Sequence, residues 1–302
     1  MTQLSDEKSP IVIVVGGGTM GSGVSQRFLL AAYRVSCVEV DDDAGARVME
    51  TVTRGLSRWA VKTGQQELRD QALARFTVHA DGLPDVDPAL IVETVPEVRA
   101  VKHSVLAQYS ARYPSVVLAS NTSALSIDTL ARSVDDPGRF LGMHFFNPVP
   151  RSALLEIVRG DSTRPDVLRS AHEHARRLGL TPVEVRDSPG FATSRLGIVV
   201  GLEAMRMVEE DIASAADIDT AMMLGYRFPV GPLELSDLVG LDVRLAIAEH
   251  LHTRLGERFK PPGLLRAMVR AGLLGTKTGQ GFYVWDGTTR VASRPLSDLI
   301  AE

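Results

Sequence analysis

The pattern of apolar and polar positions changes character once along the chain. Up to about residue 186, short apolar runs alternate with longer stretches of helical period. Ile11-Val12-Ile13-Val14-Val15 is apolar without interruption, as a strand covered on both faces must be. A glycine-rich turn follows, and then a helix to about residue 32. Further strands are predicted over residues 35–40, 76–79, 90–94, 115–119, 140–144, 154–158 and 182–185, with helical patterns over 42–75 and 165–178. Strand and helix in alternation predict an α/β domain on a parallel sheet. After Asp187-Ser188-Pro189-Gly190 the period is helical to about residue 274, over 197–210, 216–224, 231–255 and 261–271. Proline and glycine punctuate the chain there, so the expected organisation is an α/β domain over residues 1–186 and an all-helical C-terminal domain over 187–302.

The turn after the first strand reads Gly16-Gly17-Gly18-Thr19-Met20-Gly21, a G-x-G-x-x-G. Alone that spacing is weak. Here it leaves a buried strand, opens a helix, and is followed by an acidic residue at the end of the next strand, which together make a Rossmann dinucleotide fingerprint. Gly16 permits the tight turn, Gly18 lets backbone approach a pyrophosphate, and Gly21 lets helix and strand pack closely. A pyrophosphate would then sit on free N–H groups at the positive end of the helix, and Gly16, Gly17, Gly18, Thr19, Met20 and Gly21 are the candidate cofactor contacts of this turn. Glu39 stands 23 residues past Gly16, where a carboxylate accepts the adenosine ribose hydroxyls and repels a 2′-phosphate. NAD is therefore predicted over NADP. Asp41 is the neighbouring alternative.

Composition narrows the partners. A net charge of −4 argues against nucleic acid or an anionic membrane as partner. Any anionic ligand must be held by local basic groups. The single cysteine, Cys37, lies in an apolar strand-like run; it excludes an internal disulfide and suits the reducing cytoplasm. The first ten residues lack the apolar core of a signal peptide. No apolar run reaches the ~18–20 residues of a membrane span. No spacing of histidine, cysteine or carboxylate suggests a metal.

Candidate chemistry sits in Leu141-Gly142-Met143-His144-Phe145-Phe146-Asn147-Pro148, which ends an apolar strand in a histidine and a turn. Twelve residues on, Leu154-Leu155-Glu156-Ile157-Val158 carries one carboxylate in an apolar strand. A carboxylate buried there is costly unless paired, and the turn allows Glu156 to return beside His144 as base and orienter. Taken alone, the histidine reads as structural more readily than as catalytic; the dinucleotide fingerprint reverses that reading, because hydride removal from an alcohol needs a base.

Several dispersed motifs resemble one family in order and near spacing over about residues 10–285. Besides the glycine turn and the His144 segment, they are Val92-Glu93-Thr94-Val95-Pro96-Glu97 followed by Lys102, Ser120-Asn121-Thr122-Ser123, Asp187-Ser188-Pro189-Gly190-Phe191 and Lys277-Thr278-Gly279-Gln280-Gly281-Phe282-Tyr283. By these the chain resembles the 3-hydroxyacyl-CoA dehydrogenases. The resemblance implies reversible, NAD-dependent oxidation of a short (S)-3-hydroxyacyl-CoA, as of 3-hydroxybutyryl-CoA, with the thioester between the domains and a homodimer formed through the C-terminal domain. It implies that His144 is the base, Glu156 its partner, and Ser123 a contact of both substrate oxygen and nicotinamide. Glu97, Lys102, Asn121, Asn147 and Lys277 fall where the family meets NAD. Without the resemblance, Glu97 and Lys102 read as a pair of solvated charges.

Arg54, Arg58 and Lys62 recur every four residues as one basic stripe. Such a stripe is ordinarily a solvated helix face, but the resemblance makes Arg58 and Lys62 candidates for the phosphates of coenzyme A. One position departs from the family pattern: Ser194 stands where the family carries an asparagine that reaches the substrate. The departure leaves open the carrier, CoA or a carrier protein. A free hydroxy acid substrate is disfavoured by Phe145-Phe146, and a non-catalytic NAD-binding protein by the complete His144, Glu156 and Ser123 set.

Overall fold

The computed structural model describes residues 9–80 and 82–294. The chain forms two compact units, divided between Ser188 and Pro189. The first begins with β1 (Ile11–Val15), α1 (Thr19–Leu30), β2 (Arg34–Glu39), α2 (Asp42–Thr63), α3 (Gln66–Ala74) and β3 (Phe76–Ala80). It continues with β4 (Leu90–Glu93), α4 (Arg99–Arg112), β5 (Val117–Ser120), α5 (Ile127–Ala131) and β6 (Phe140–Phe145). It ends with β7 (Leu154–Arg159), α6 (Pro165–Arg177) and β8 (Thr181–Arg186).

These strands make one sheet in the order β3-β2-β1-β4-β5-β6-β7-β8. The first six run parallel, β7 is antiparallel to β6, and β8 is parallel to β7. The strand order reverses between β1 and β4, and ligands of such sheets bind outside the carboxyl ends of the strands at that switch. The apolar run of β1 is buried from Val12 to Val15, as its composition requires. A core of Val12, Val14, Phe28, Leu56, Val92, Leu141 and Leu155, among others, lies between sheet and helices.

The helical pattern over 42–75 resolves into two helices, since Gly64 adopts φ +72° and closes α2. Helices α4 and α5 were not legible in the pattern. The buried face of α4 carries Lys102 and Ser110 beside Leu106 and Tyr109, so its apolar period is broken by polar residues.

The second unit holds α7 (Thr193–Glu209), α8 (Ala215–Gly225), α9 (Pro232–Val239), α10 (Leu241–Leu255), α11 (Gly263–Arg270), β9 (Tyr283–Asp286) and β10 (Thr289–Ser293). The helix predicted over 231–255 is two helices, broken where Gly240 takes φ +102°. The all-helical expectation is also corrected, because β9 and β10 pair as an antiparallel hairpin. Its alternation covers only four residues, with Tyr283 and Trp285 buried, too short a signal after five helices. Ile198, Leu202, Met205, Leu241, Leu251, Leu265 and Phe282 form this unit's own core.

Candidate active site

The carboxyl ends of β1, β2, β4, β5 and β6, with Glu156 on β7 and the basic stripe on α2, carry the first unit's candidate residues. At β1, Gly16 takes φ +89°, and a Cβ on Gly21 would lie 1.8 Å from the Gly16 carbonyl oxygen, so helix and turn touch only because Gly21 has no side chain. A Cβ on Gly17 would strike Val48, whereas one on Gly18 would meet nothing within 4 Å. Gly18 therefore presents open backbone to an approaching ligand. It caps α1 without a side-chain hydrogen bond, and no acidic residue occupies the helix's first turn. The N–H groups around Thr19 and Met20 thus remain available to a phosphate. Glu39, at the end of β2, accepts a short hydrogen bond from the Gly17 N–H and a second from Val40 N–H at 3.2 Å. That puts a carboxylate against the glycine turn. Asp41 is engaged otherwise: it caps α2 by accepting from Ala44 N–H at 2.7 Å.

Glu93, Glu97 and Lys102 form a network at the end of β4. Lys102 is 1% exposed and donates to Glu93 Oε1 at 2.7 Å and to the Val95 carbonyl at 3.1 Å. Its ammonium also lies 3.3 Å from Glu97 Oε2. Glu93 is equally buried and accepts from Val95 N–H at 2.7 Å and the Ser120 hydroxyl at 2.5 Å. Glu97 accepts from the Thr122 hydroxyl and from the N–H groups of Ser123 and Ala124 at 3.1 and 3.0 Å. Burial alone would raise the Glu97 pKa, but the Thr122 hydroxyl, Lys102 and the Ala124 N–H outweigh it and hold the carboxyl below its usual range. The solvated pair suggested by spacing is thus corrected, for the lysine is desolvated and matched to two carboxylates. Glu93 was missed as a site residue. Its signal was a carboxylate closing an apolar run, with a lysine nine residues on.

The loop after β5 is held from both sides. Glu97 anchors Ser123 and Ala124, and Asn121 Oδ1 accepts the N–H of Phe145 at 2.9 Å, tying the loop to the end of β6. Asn121 thereby spends its oxygen on backbone, while the Ser123 side chain is exposed. On β6, His144 stands directly opposite Glu156 of β7 in the antiparallel register. Its Nδ1 lies 2.8 Å from Glu156 Oε2, with the carboxylate fully buried and the imidazole 7% exposed. The Phe146 ring packs on the imidazole at a centroid distance of 4.4 Å. Asn147 is exposed beyond the strand. On α2, Val48, Val52, Leu56 and Ala60 are buried, and Arg54, Arg58 and Lys62 occupy the exposed face, where Arg54 pairs with Glu50 at 3.1 Å.

Ser194 and Lys277 belong to the second unit. Ser194 is half-buried in the first turn of α7. Lys277 pairs closely with Asp242 at the start of α10 and holds that carboxyl below its usual range. Much of the segment around Lys277 is structural. Asp237, fully buried on α9, accepts the N–H groups of Phe282 and Tyr283 at 3.0 Å each and Trp285 Nε1–H at 2.9 Å. A Cβ on Gly281 would lie 2.1 Å from the same carboxylate, so only glycine fits there.

Comparison with known proteins gives one answer for both units. Residues 11–188 match the family described as 3-hydroxyacyl-CoA dehydrogenase, NAD binding domain, and residues 190–285 match 3-hydroxyacyl-CoA dehydrogenase, C-terminal domain. A probable 3-hydroxybutyryl-CoA dehydrogenase of Deinococcus radiodurans is 38% identical over 89% of this chain and 98% of its own length. A 3-hydroxybutyryl-CoA dehydrogenase of Mycobacterium tuberculosis is 39% identical over 90% and 97%. The solved (S)-3-hydroxybutyryl-CoA dehydrogenase PaaH1 of Ralstonia eutropha superposes with a TM-score of 0.86 at 35% identity, covering 92% of this chain and all of that one (100%).

Proposed function

The chain belongs to the 3-hydroxyacyl-CoA dehydrogenase family, and from that premise we propose that it oxidises short (S)-3-hydroxyacyl-CoA thioesters to 3-oxoacyl-CoA, reversibly and with NAD. The observation that carries this reading is the buried Glu156 against His144 Nδ1, at the carboxyl edge of an NAD-binding sheet. With Nδ1 held, proton transfer at the substrate hydroxyl falls to Nε2, and the carboxylate stabilises the imidazolium that results. NAD, when bound, supplies the hydride acceptor. The residues present fit it: open backbone at Gly18, uncapped N–H groups at the start of α1, and Glu39 at the turn.

Ser123 is assigned to the substrate oxygen and the nicotinamide side, supported by its exposure on a loop pinned by Glu97 and Asn121. Glu97, Asn121, Asn147 and Lys277 complete the proposed NAD set. Lys102 acts within that set chiefly by holding Glu97 ionised and in place. Ser194 is assigned to the acyl part of the substrate, and Arg58 and Lys62 to the phosphates of coenzyme A. The second unit exposes Ile212, Leu224 and Tyr226, apolar groups that suit a homodimer through this unit. The single buried thiol, Cys37, suits the cytoplasm.

The test is NADH consumption with acetoacetyl-CoA and longer 3-oxoacyl-CoA thioesters, and with the same acyl groups on a pantetheine carrier mimic. Turnover of the CoA thioesters is expected. Inertness toward all of them, with turnover of the carrier mimic alone, would move the assignment to a carrier-bound substrate.

A further inference from the structure

Thr94, half-buried just after β4, meets the glycine turn with both of its polar groups. Its N–H donates to the Val15 carbonyl at 2.8 Å and so continues the pairing of β4 with β1. Its hydroxyl lies 3.0 Å from the same carbonyl and donates a short hydrogen bond to the carbonyl of Gly16. The backbones are as close: a Cβ on Gly16 would lie 3.1 Å from Val95 Cα and 3.2 Å from the Thr94 carbonyl carbon.

The carbonyl of Gly16 and the N–H of Gly17 belong to one trans peptide plane and point in opposite directions. On one side the carbonyl meets the Thr94 hydroxyl, and on the other the N–H meets Glu39. A hydroxyl beside β4 and a carboxylate of β2 therefore hold the two ends of a single plane. Glycine lies on both sides of it, and glycine by itself favours no one orientation. The next plane is fixed in the same way from α1, where the Ser22 hydroxyl donates to the Gly17 carbonyl at 2.5 Å. Strand pairing does not need the Thr94 hydroxyl, since the N–H of that residue already holds Val15. What the hydroxyl adds is the direction of the Gly17 N–H, and with it the seat of Glu39.

We propose that Thr94 is a positioning residue for cofactor choice: its hydroxyl orients the Gly16–Gly17 peptide, whose N–H holds the Glu39 carboxylate toward the adenosine ribose. The inference rests on Glu39 meeting that ribose. Thr94 acts through Gly17 and Glu39, and touches no reacting atom.

The experiment compares Thr94→Val, which keeps the shape and loses the hydroxyl, with Thr94→Ser, which keeps the hydroxyl. Thr94→Val should raise KM for NADH about 2–10-fold, the scale of one hydrogen bond, with kcat at saturating NADH unchanged. It should also narrow the preference for NADH over NADPH, and Thr94→Ser should restore both. In a Glu39→Ala background, Thr94→Val should add little, because the group it positions is gone. If Glu39→Ala weakens NADH but Thr94→Val does not, or if Thr94→Val costs as much with Glu39 as without it, the proposal is overturned and the Glu39 assignment stands. A loss of kcat that Thr94→Ser does not recover would make Thr94 structural and overturn it too. Nuclear magnetic resonance of protein isotopically labelled at its glycine nitrogens separates the two readings. The Gly17 amide, identified as the glycine signal displaced furthest by Glu39→Ala, should move upfield in Thr94→Val and return in Thr94→Ser. If Glu39→Ala leaves KM for NADH as it was, the ribose assignment fails and the amide decides. A signal moved by Thr94→Val would still support Thr94 as the group that orients this peptide; an unmoved signal would overturn it.

Discussion

His144 of β6 and Glu156 of β7 face each other across one antiparallel register position, with Nδ1 and Oε2 2.8 Å apart. The antiparallel turn-back of β7 beside an otherwise parallel sheet makes the pair possible. Residues directly opposite on adjacent antiparallel strands bring their Cβ atoms to about 5 Å, so a glutamate can reach an imidazole without strain. A parallel continuation would need a crossover of a dozen or more residues, and the segment between the two strands is too short for one.

Two substitutions separate base from orienter. His144→Ala should lower kcat by roughly 10²–10⁴, the usual worth of a positioned general base, with NADH affinity nearly unchanged. Glu156→Gln should lower kcat less and move the pH–rate profile, since the imidazolium loses its carboxylate. A His144→Ala enzyme retaining half its kcat, or an unmoved profile in Glu156→Gln, would refute the assignment.

Cofactor choice rests on Glu39. The native enzyme should prefer NADH to NADPH, and Glu39→Ala should raise KM for NADH while narrowing the preference. The loss would come from two sources, the proposed ribose contact and the bond to Gly17 N–H. Asp41 is not placed to compensate, because capping α2 already occupies it. Equal kcat/KM for the two cofactors in the native enzyme is the contrary result.

The parallel sheet, the glycine turn and the pairing of His144 with Glu156 were legible because each is written in contiguous or strictly periodic residues. A five-residue apolar run, a fixed glycine spacing and a lone carboxylate in an apolar strand need no tertiary context to be read. What was not legible depends on partners distant in the chain. Lys102 looked solvated because Glu93 lies on another element, and α4 was hidden by the polar residues it buries. The breaks at Gly64 and Gly240 follow from positive φ, yet glycine also occurs inside helices, as at Gly197 and Gly201 of α7. Asp237 looked like an ordinary helix residue until the hairpin it anchors was in place.

The Lys102–Glu93 pair predicts an asymmetric response to mutation. Lys102→Met leaves Glu93 buried and unpaired, and should destabilise the first unit by about 3–5 kcal/mol. It should also weaken NADH binding, as Glu97 loses the ammonium that holds it ionised. Lys102→Met with Glu93→Gln removes both charges and should recover much of the stability, measured by urea unfolding. Additive losses in the double variant would show that the two groups do not act as a pair.

The second unit should lose stability as pH rises from about 4 to 6, because of Asp237. Burial raises its pKa to about 6, against the opposing pull of Trp285 Nε1–H and the N–H groups of Phe282 and Tyr283, and with Asp219 adding to the rise. The folded state therefore binds this proton more tightly than the unfolded state, whose aspartate titrates at its ordinary value of 3.8. Where the native state holds more protons, stability falls with increasing pH. The favourable contribution is full below about pH 4 and gone above about pH 6, a loss on the order of 3 kcal/mol at ~1.4 kcal/mol per pH unit. Asp237→Asn has no such titration, though it places an amide among three N–H donors and is destabilised at every pH by a roughly constant amount. The native protein's advantage over the variant should accordingly shrink between pH 4 and pH 7, followed by thermal melting of both proteins in parallel. An advantage that stays constant, or grows with pH, would mean that the three N–H donors outweigh burial and that the carboxylate is charged throughout.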